Sequence, residues 1–368
     1  MLPTRCLIGL AAAVALFLAS GIFLQPEAIG RQNSTGFPAS EIARFSPADI
    51  DKKPALSALI PAAEKDSLEI VMVAKLEGIQ WFDDMRRGIS DFSRETGVNA
   101  YQIGHHTGDP LEQIKLVERL IKKKVDAILV VPNDPGSMDP ILKKANDAGI
   151  LTFSHEAPSL QNVSYDIEAL NNADFGREMM RDLAKNMQYE GDYIVIVGLL
   201  TMDTHMVWAE AAVAYQKAHY PEMNLITYPY LEDDNNRNHA YRQIVNVLEV
   251  FPNIKGILGC TAGSAPAAGL VIEEQGLLGK VFKSGLSLPS MAKAYLQSGA
   301  VQSISFWSPA DVGYVTAMVA LKALRGEPIQ SGINLGRRGY ENIELEGKVI
   351  YGNASIFATR DNVHEYDF

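Results

Sequence analysis

The chain has 368 residues, more than one ordinary hydrophobic core holds, so its length predicts two lobes or domains. Apolar residues make up 47% of it and charged residues 21%, which is typical of a soluble globular protein. The formal net charge is −11, from 33 basic and 44 acidic residues, and no dense basic run occurs. Phosphate backbones and anionic membrane surfaces would be repelled, so nucleic acid is not an expected partner.

The N-terminus has the pattern of an export signal. Arg5 precedes an apolar run of 19 residues, CLIGLAAAVALFLASGIFL, with small residues at 19–21 where a peptidase could cut. The run also reaches the lower length limit of a membrane span. Residues 1–30 are therefore predicted to be a signal peptide or an uncleaved membrane anchor.

Residues 31–66 and the two cysteines give weaker structural signals than the N-terminus. Residues 31–66 mix Pro, Ser, Ala and charges without a period, which predicts a flexible leader; an additional helix or strand packed on the domain is the alternative. Cys6 lies in the apolar run and Cys260 far from it, so no disulfide is expected.

From residue 68 onward, strand and helix patterns alternate. Strands are predicted at 68–74, 98–104, 126–132 and 150–154, with helices at 80–97, 109–124 and 138–149 between them. The second of these helices has Asp109 as its predicted N-cap. Its apolar stripe comprises Leu111, Ile114, Val117, Leu120 and Ile121. This βαβαβαβ order predicts a parallel sheet covered by helices on both faces.

The alternation then starts again. Residues 164–170 lead into a predicted helix at 171–188. Further strands are predicted at 192–200, 224–232, 256–261, 282–288 and 301–307. Further helices are predicted at 204–221, 238–252, 264–276, 290–299 and 309–328, before short strands in the tail. Two similar α/β units imply a crevice between them, and ligands of such sheets bind at the carboxyl ends of the strands.

Unusual side chains follow several of these strands. Lys75 ends the first strand, and Trp81 and Phe82 stand side by side where the next helix begins. Neither a core strand nor a surface loop has an obvious use for this combination. An aromatic face can stack on sugar C–H groups while lysine donates to hydroxyls, so we interpret these residues as a cleft wall, with ordinary core as the alternative for Trp81.

The other strand ends supply further candidates for ligand contacts. They are Asn133, Ser154, His155, Glu156, Thr204, His205, Cys260, Ala262, Ser287 and Trp307. A hydrogen bond to a polar ligand is the expected role of His155 and His205, in preference to metal binding or catalysis.

Motifs of enzymes and cofactor-binding proteins are absent from the sequence. It contains no Gly-rich dinucleotide fingerprint, P-loop, GxSxG, HExxH or CxxC. Adjacent His105 and His106 fit a solvated loop better than a metal site. Nothing in the spacing of Asp83, Glu156 and Asp203 makes two of them face one bond. We therefore expect no enzyme activity, no cofactor and no metal.

Several segments, in the same order along the chain, carry a family resemblance. Residues 74–82 (AKLEGIQWF), 126–150 (DAILVVPNDPGSMDPILKKANDAGI) and the ending NVHEYDF are similar to periplasmic solute-binding proteins of the ribose type. They are most like the branch with the autoinducer-2-binding and rhamnose-binding proteins of ABC importers. The resemblance covers residues 68–368 and implies the type I fold: two lobes, each a parallel sheet flanked by helices, joined by a three-stranded hinge.

The resemblance carries over the family's ligand site only in part. The family's lysine matches Lys75 and its alanine matches Ala262. Its aspartate falls on Ser154, its Asp-Gln pair on Thr204 and His205, and its proline on Cys260. Because these polar contacts differ, the resemblance implies a pentose, deoxyhexose, polyol or autoinducer-2-like ligand without deciding between them.

The resemblance also implies where the chain crosses between the lobes. Crossings are expected near residues 154–157, 286–289 and 307–309. The predicted N-terminal lobe is then residues 67–154 plus 286–306. The predicted C-terminal lobe is residues 157–284 plus 309–368.

The function implied is capture of a sugar-like ligand in the periplasm and its delivery to an ABC permease and its ATPase by a monomeric protein. A sensor subunit that reports to a histidine kinase or chemoreceptor is the first alternative, and a secreted α/β hydrolase is the second.

Overall fold

The computed structural model describes residues 68–368, which form fourteen strands and nine α-helices. The strands are β1 (Glu69–Val73), β2 (Asn99–Ile103), β3 (Ala127–Val130), β4 (Leu151–His155), β5 (Tyr165–Glu168), β6 (Gly191–Val197), β7 (Met223–Leu225), β8 (Leu231–Glu232), β9 (Gly256–Gly259), β10 (Phe282–Gly285), β11 (Ser303–Phe306), β12 (Glu344–Glu346), β13 (Val349–Tyr351) and β14 (Ile356–Thr359). The helices are α1 (Gln80–Thr96), α2 (Pro110–Lys123), α3 (Pro135–Asp147), α4 (Asn172–Asn186), α5 (Asp203–His219), α6 (Arg237–Val250), α7 (Ser264–Glu274), α8 (Pro289–Ser298) and α9 (Pro309–Leu324). The interpretations of residues 1–30 and 31–66 lie outside this described part.

The strands form two main sheets, and each is the centre of one lobe. The first has the order β12-β13-β5-β4-β3-β1-β2, and the second has the order β10-β9-β6-β7, with β8 also paired to β6. Every pairing in both sheets is parallel except that of β12 with β13. The short antiparallel pair β11-β14 continues the second sheet through a bridge between Leu286 and Ser305. The predicted fold class of two parallel sheets flanked by helices is confirmed.

Helices cover both faces of each sheet, as parallel strands require. In the first lobe α1 and α9 pack together on one face, and α2 and α3 pack on the other. In the second lobe α4 and α5 form one layer, and α6 and α7 form the other. The apolar stripe predicted for α2 is partly wrong, because Leu111 is 64% exposed while Val117 and Leu120 are buried.

The sheet pairings differ from the predicted lobe boundaries. Residues 165–168 form β5 in the first sheet, so the first crossing follows Glu168 instead of lying at 154–157. Residues 286–306 belong with the second sheet, and residues 309–351 belong with the first. The chain therefore crosses after β5, between β11 and α9, and between β13 and β14. Of the expected crossings, only the one at 307–309 matches.

The reason for the difference is that β5 does not have the composition of a strand. Its sequence, YDIE, contains two acidic residues, Asp166 and Glu168, which are nevertheless buried in the structure. One other detail also differs from the sequence interpretation. The single strand predicted at 224–232 is split into β7 and β8, on either side of a segment that contains Pro229, which lacks a backbone donor.

Candidate functional site

A small cavity lies where carboxyl ends of strands in both sheets meet. Its volume is about 30 Å³. It is lined by Lys75, Ile79, Trp81, Phe82, Glu156, His205, Asn235, Ala262 and Leu286. The first sheet supplies Lys75 and Glu156, and the second lobe supplies His205, Asn235 and Ala262. An adjoining pocket of about 70 Å³ shares Trp81 and Asn235 and extends to Arg237 and Met291.

A buried ion pair forms the polar wall of this cavity. Lys75 Nζ lies 2.8 Å from Glu156 Oε2, and both side chains are less than a tenth exposed. Burial raises the pKa of Glu156, but the opposing charges, Lys75 first, outweigh burial and bring the pKa down to about 2. Glu156 is therefore ionised at neutral pH, and the pair is electrically balanced.

The backbone of Glu156 is also unusual. Its φ of 59° lies in the left-handed region, which a residue with a long side chain rarely adopts. Such conformations persist only where surrounding contacts impose them, and they are common at ligand sites. The turn directs the Glu156 carboxylate, which follows β4, towards Lys75, which follows β1 on the other side of β3.

Two histidines flank the Lys75–Glu156 pair, and their Nδ1 atoms make opposite kinds of hydrogen bond. The backbone N–H of Gly198 donates to His205 Nδ1 at 3.1 Å, so His205 carries its proton on Nε2. Burial, then the Lys75 charge, lowers the pKa of His205 to about 3, which keeps the ring neutral. His155 Nδ1 donates to the Ile167 carbonyl at 2.6 Å. Its Nε2 has no hydrogen-bond partner in the described chain and lies 3.6 Å from Glu156 Oε1.

Aromatic rings form the apolar side of the site. Trp81 and Phe82, in the first turn of α1, line the cavity. Trp307, at the crossing after β11, lies behind Trp81 with ring centroids 4.9 Å apart and planes at 82°. It also contacts Trp208 of the second lobe at 5.7 Å. All three tryptophans of the chain therefore meet where the lobes join.

The structure brings many of the predicted contacts together, although they do not all face the cavity. The lining includes Lys75, Trp81, Phe82, Glu156, His205 and Ala262. Asn133 donates from Nδ2 to the Lys75 carbonyl at 2.8 Å, and Ser287 Oγ donates to the Ala262 carbonyl at 2.8 Å. These two residues position lining residues instead of lining the cavity themselves.

The other predicted contacts point elsewhere. Ser154 Oγ donates to Asp166 at 2.6 Å, away from the cavity. Cys260 is wholly buried within the second lobe, where burial raises its pKa to about 12. Thr204 is also fully buried, and its Oγ1 lacks a partner among residues 68–368.

Sequence reasoning missed three lining residues. Asn235 follows β8 in the Asp/Asn-rich stretch EDDNNRN, and polar residues after a strand end were a usable signal for it. Ile79 and Leu286 are apolar and carried no such signal. Among the described residues no group of three or more His, Cys, Asp or Glu side chains is placed to hold a metal ion. No helix in the described part is long and apolar enough to cross a membrane.

Comparison with known proteins agrees with this architecture. The family described as "Periplasmic binding protein domain" matches residues 70–328. The D-ribose/D-allose-binding protein of Pseudomonas aeruginosa is 22% identical over 277 residues, covering 73% of this chain and 86% of that protein.

Solved structures show the same fold. LsrB from Clostridium saccharobutylicum in complex with AI-2 has a TM-score of 0.75 at 18% identity, over 82% of this chain and 100% of that one. An ABC transporter solute-binding protein from Clostridium phytofermentas with bound L-rhamnose has a TM-score of 0.76 at 20% identity, over 82% of this chain and 98% of that one. The chain belongs to the periplasmic binding protein family.

Proposed function

We propose that this protein binds a small, uncharged, hydroxyl-rich molecule between its lobes in the periplasm and delivers it to an ABC permease and its ATPase. The ligand class is a pentose, deoxyhexose, polyol or autoinducer-2-like compound. The observation that supports this best is the balanced Lys75–Glu156 pair, which faces His205 across the cavity. The names of the relatives, which bind ribose or allose, AI-2 and L-rhamnose, agree with it.

The chemistry of the cavity suits such a ligand. Lys75 and His205 Nε2 donate hydrogen bonds, and Glu156 accepts them, so hydroxyls on both sides of a ring find partners. Trp81 and Phe82 offer apolar surface to C–H groups. A charged ligand would leave a net charge in a buried site, which is costly.

Binding requires the lobes to move. The cavity of about 30 Å³ and the adjoining pocket of about 70 Å³ are both far smaller than the roughly 300 Å³ or more of a typical small-molecule site. The crevice expected from the sequence is thus nearly closed in this structure. A ligand has to enter when the lobes are apart, and closure around it presents the permease with a distinct surface.

A thermal-shift panel tests the proposal. D-ribose, D-allose, L-rhamnose, D-arabinose and AI-2 are compared with D-glucuronate and D-glucosamine as charged controls. A neutral ligand at a hundred times its Kd should stabilise the fold by about 2.7 kcal/mol, because it binds the native state only. Stabilisation by no neutral compound, or equal stabilisation by the charged controls, would count against the proposal.

A further inference from the structure

Strand β5 carries two buried carboxyl groups that the cavity does not use. Asp166 and Glu168 are two residues apart on one strand, so their side chains lie on the same face of the sheet. Asp166 is 0% exposed and Glu168 is 1% exposed. Carboxylates are rarely buried in this way unless a partner or a proton compensates for lost hydration.

A single shared proton explains this arrangement. Asp166 Oδ2 and Glu168 Oε1, on side chains of the same sheet face, have no hydrogen-bond donor within residues 68–368. Two carboxylate oxygens cannot bond to one another unless one is protonated. Burial and then the Asp166 charge raise the pKa of Glu168 well above its usual value, so Glu168 is the protonated partner. Its proton lets it donate to Asp166.

The Asp166 side chain and the backbone carbonyl of Ile167 hold the loop that carries Glu156. Asp166 Oδ1 accepts from Ser154 Oγ at 2.6 Å and from the backbone N–H of Ala157 at 3.2 Å. The carbonyl of Ile167 accepts from His155 Nδ1. These bonds stand on both sides of Glu156 and enforce the backbone turn at φ 59°.

Glu168 connects the same strand to the opposite wall of the cavity. The side chain of Asn172, the first residue of α4 after the crossing, is near enough to the Glu168 carboxyl group to oppose the rise of its pKa. Asn172 Oδ1 accepts from Trp208 Nε1 at 2.6 Å. The Trp208 ring stacks on His205 with centroids 5.1 Å apart. A continuous chain of contacts therefore runs from Glu156 to His205.

We propose that Asp166 and Glu168, sharing one proton, are positioning residues that hold Glu156 in its binding conformation and couple it to His205 across the crossing. The inference rests on the proposed function only in taking Glu156 and His205 as ligand contacts. Neither carboxyl group touches the ligand.

The other titratable groups around the pair come from four places. His155 and Glu156 belong to the end of β4, Tyr340 precedes β12, Lys348 lies in the β12–β13 turn, and Tyr351 is on β13. Burial raises the pKa of Tyr351 to about 12 and that of Tyr340 further still, so both stay neutral. Burial lowers the pKa of Lys348.

Two ligand-free measurements test the pair. In Asp166→Ala the Ala157 amide loses its acceptor and should exchange with solvent about tenfold faster, whereas Asp166→Asn keeps an acceptor oxygen and should restore protection.

Because the pKa of Glu168 is raised, its stabilising effect is full below the unfolded-state pKa and lost as pH rises through the folded-state pKa. The unfolding midpoint of the wild type should therefore fall, relative to Glu168→Gln, as pH rises above the ordinary glutamate pKa of 4.5. Glu346→Gln, at an exposed position of the same sheet, should follow the wild type.

The outcomes separate this inference from the proposed function. Unchanged Ala157 exchange in a folded Asp166→Ala, or a Glu168→Gln variant that parallels the wild type at every pH, would overturn it. If Asp166→Ala does not fold, the Glu168→Gln comparison decides alone. With D-ribose, D-allose or L-rhamnose as probe, Asp166→Ala should bind about tenfold more weakly than Asp166→Asn. If no sugar in the panel binds, the proposed function is contradicted. The amide-exchange and pH measurements need no ligand, so they still test the role of Asp166 and Glu168.

Discussion

At the scale of single residues, the Lys75–Glu156 pair dominates the site. It is buried, charged on both sides and formed by residues 81 positions apart. Such a pair is weak evidence for stability, because desolvation offsets much of the Coulomb attraction. We propose that the pair serves ligand recognition, which needs a donor and an acceptor together.

This explanation predicts different effects for single and double substitutions. Lys75→Met leaves the Glu156 charge unpaired and should cost about 3–5 kcal/mol in urea unfolding, as should Glu156→Met for the converse reason. The double variant Lys75→Met/Glu156→Met should regain most of that loss but bind no sugar. A double variant that binds like the wild type would remove the pair from the site.

The same pair fixes the direction of an acid effect. The pKa of Glu156 falls from 4.5 to about 2 on folding, so its stabilisation is present above about pH 4.5 and lost as pH drops towards 2. The size is on the order of 3 kcal/mol. Urea unfolding of the wild type between pH 6 and pH 2 should show this loss. The double variant lacks the titrating group, so an equal loss there would contradict the assignment.

At the scale of elements, close helix pairs position the cavity walls. A Cβ atom at Gly88 of α1 would overlap the carbonyl oxygen of Ala310 in α9. A Cβ at Gly176 of α4 would overlap the carbonyl of Trp208 in α5. Helix α1 carries Trp81 and Phe82, and α5 carries His205, so each close contact supports one wall.

Gly88→Ala should therefore destabilise the protein, although alanine is the better helix former. The higher helix propensity of alanine would by itself add about 1 kcal/mol to the free energy of unfolding. Overpacking against Ala310 should cost about 1–3 kcal/mol, so the net effect is destabilising. Ser90→Ala, on the exposed side of the same helix, should stay within about 0.5 kcal/mol of the wild type in urea unfolding. A stabilised Gly88→Ala would show that the helices separate easily.

At the scale of the whole molecule, the two lobes contact each other beyond the cavity. The backbone N–H of Ser159, in the loop after β4, donates to Asp203 Oδ2 at 3.3 Å, and its hydroxyl group contacts the same oxygen. Asp203 begins α5 in the other lobe. This contact joins the two lobes, so it should break when they separate.

Small-angle scattering should show a more compact protein when a bound sugar saturates it, because closure is favoured by contacts with both lobes. Asp203→Ala should reduce affinity about fivefold by removing one closed-state contact while leaving the unfolding midpoint of the free protein nearly unchanged. Asp203→Asn, which keeps the acceptor oxygen, serves as the matched control. Identical scattering with and without saturating sugar would contradict the closure mechanism.

The sequence by itself determined the order of the elements and the fold class. Within the apolar runs 68–74 and 192–200, residues 70–74 and 193–197 are buried because parallel strands are covered on both faces. Helix signals such as Asp109 act locally. The side chains at strand ends were also readable, because the carboxyl ends of parallel strands gather at one edge. Lys75, Glu156 and His205 thus meet as their positions along the chain suggest.

Only the tertiary structure decided where the chain crosses between the lobes and which candidates face the cavity. Strand β5 was missed because Asp166 and Glu168 become tolerable in a core only through side chains on other elements, such as Ser154 and Asn172, and the pattern of the strand itself does not reveal them. Ser154 and Cys260 turn inward for a related reason: the direction of a side chain at a strand end depends on the packing around it. Periodicity is a property of neighbours in sequence, whereas burial of a charge depends on neighbours in space.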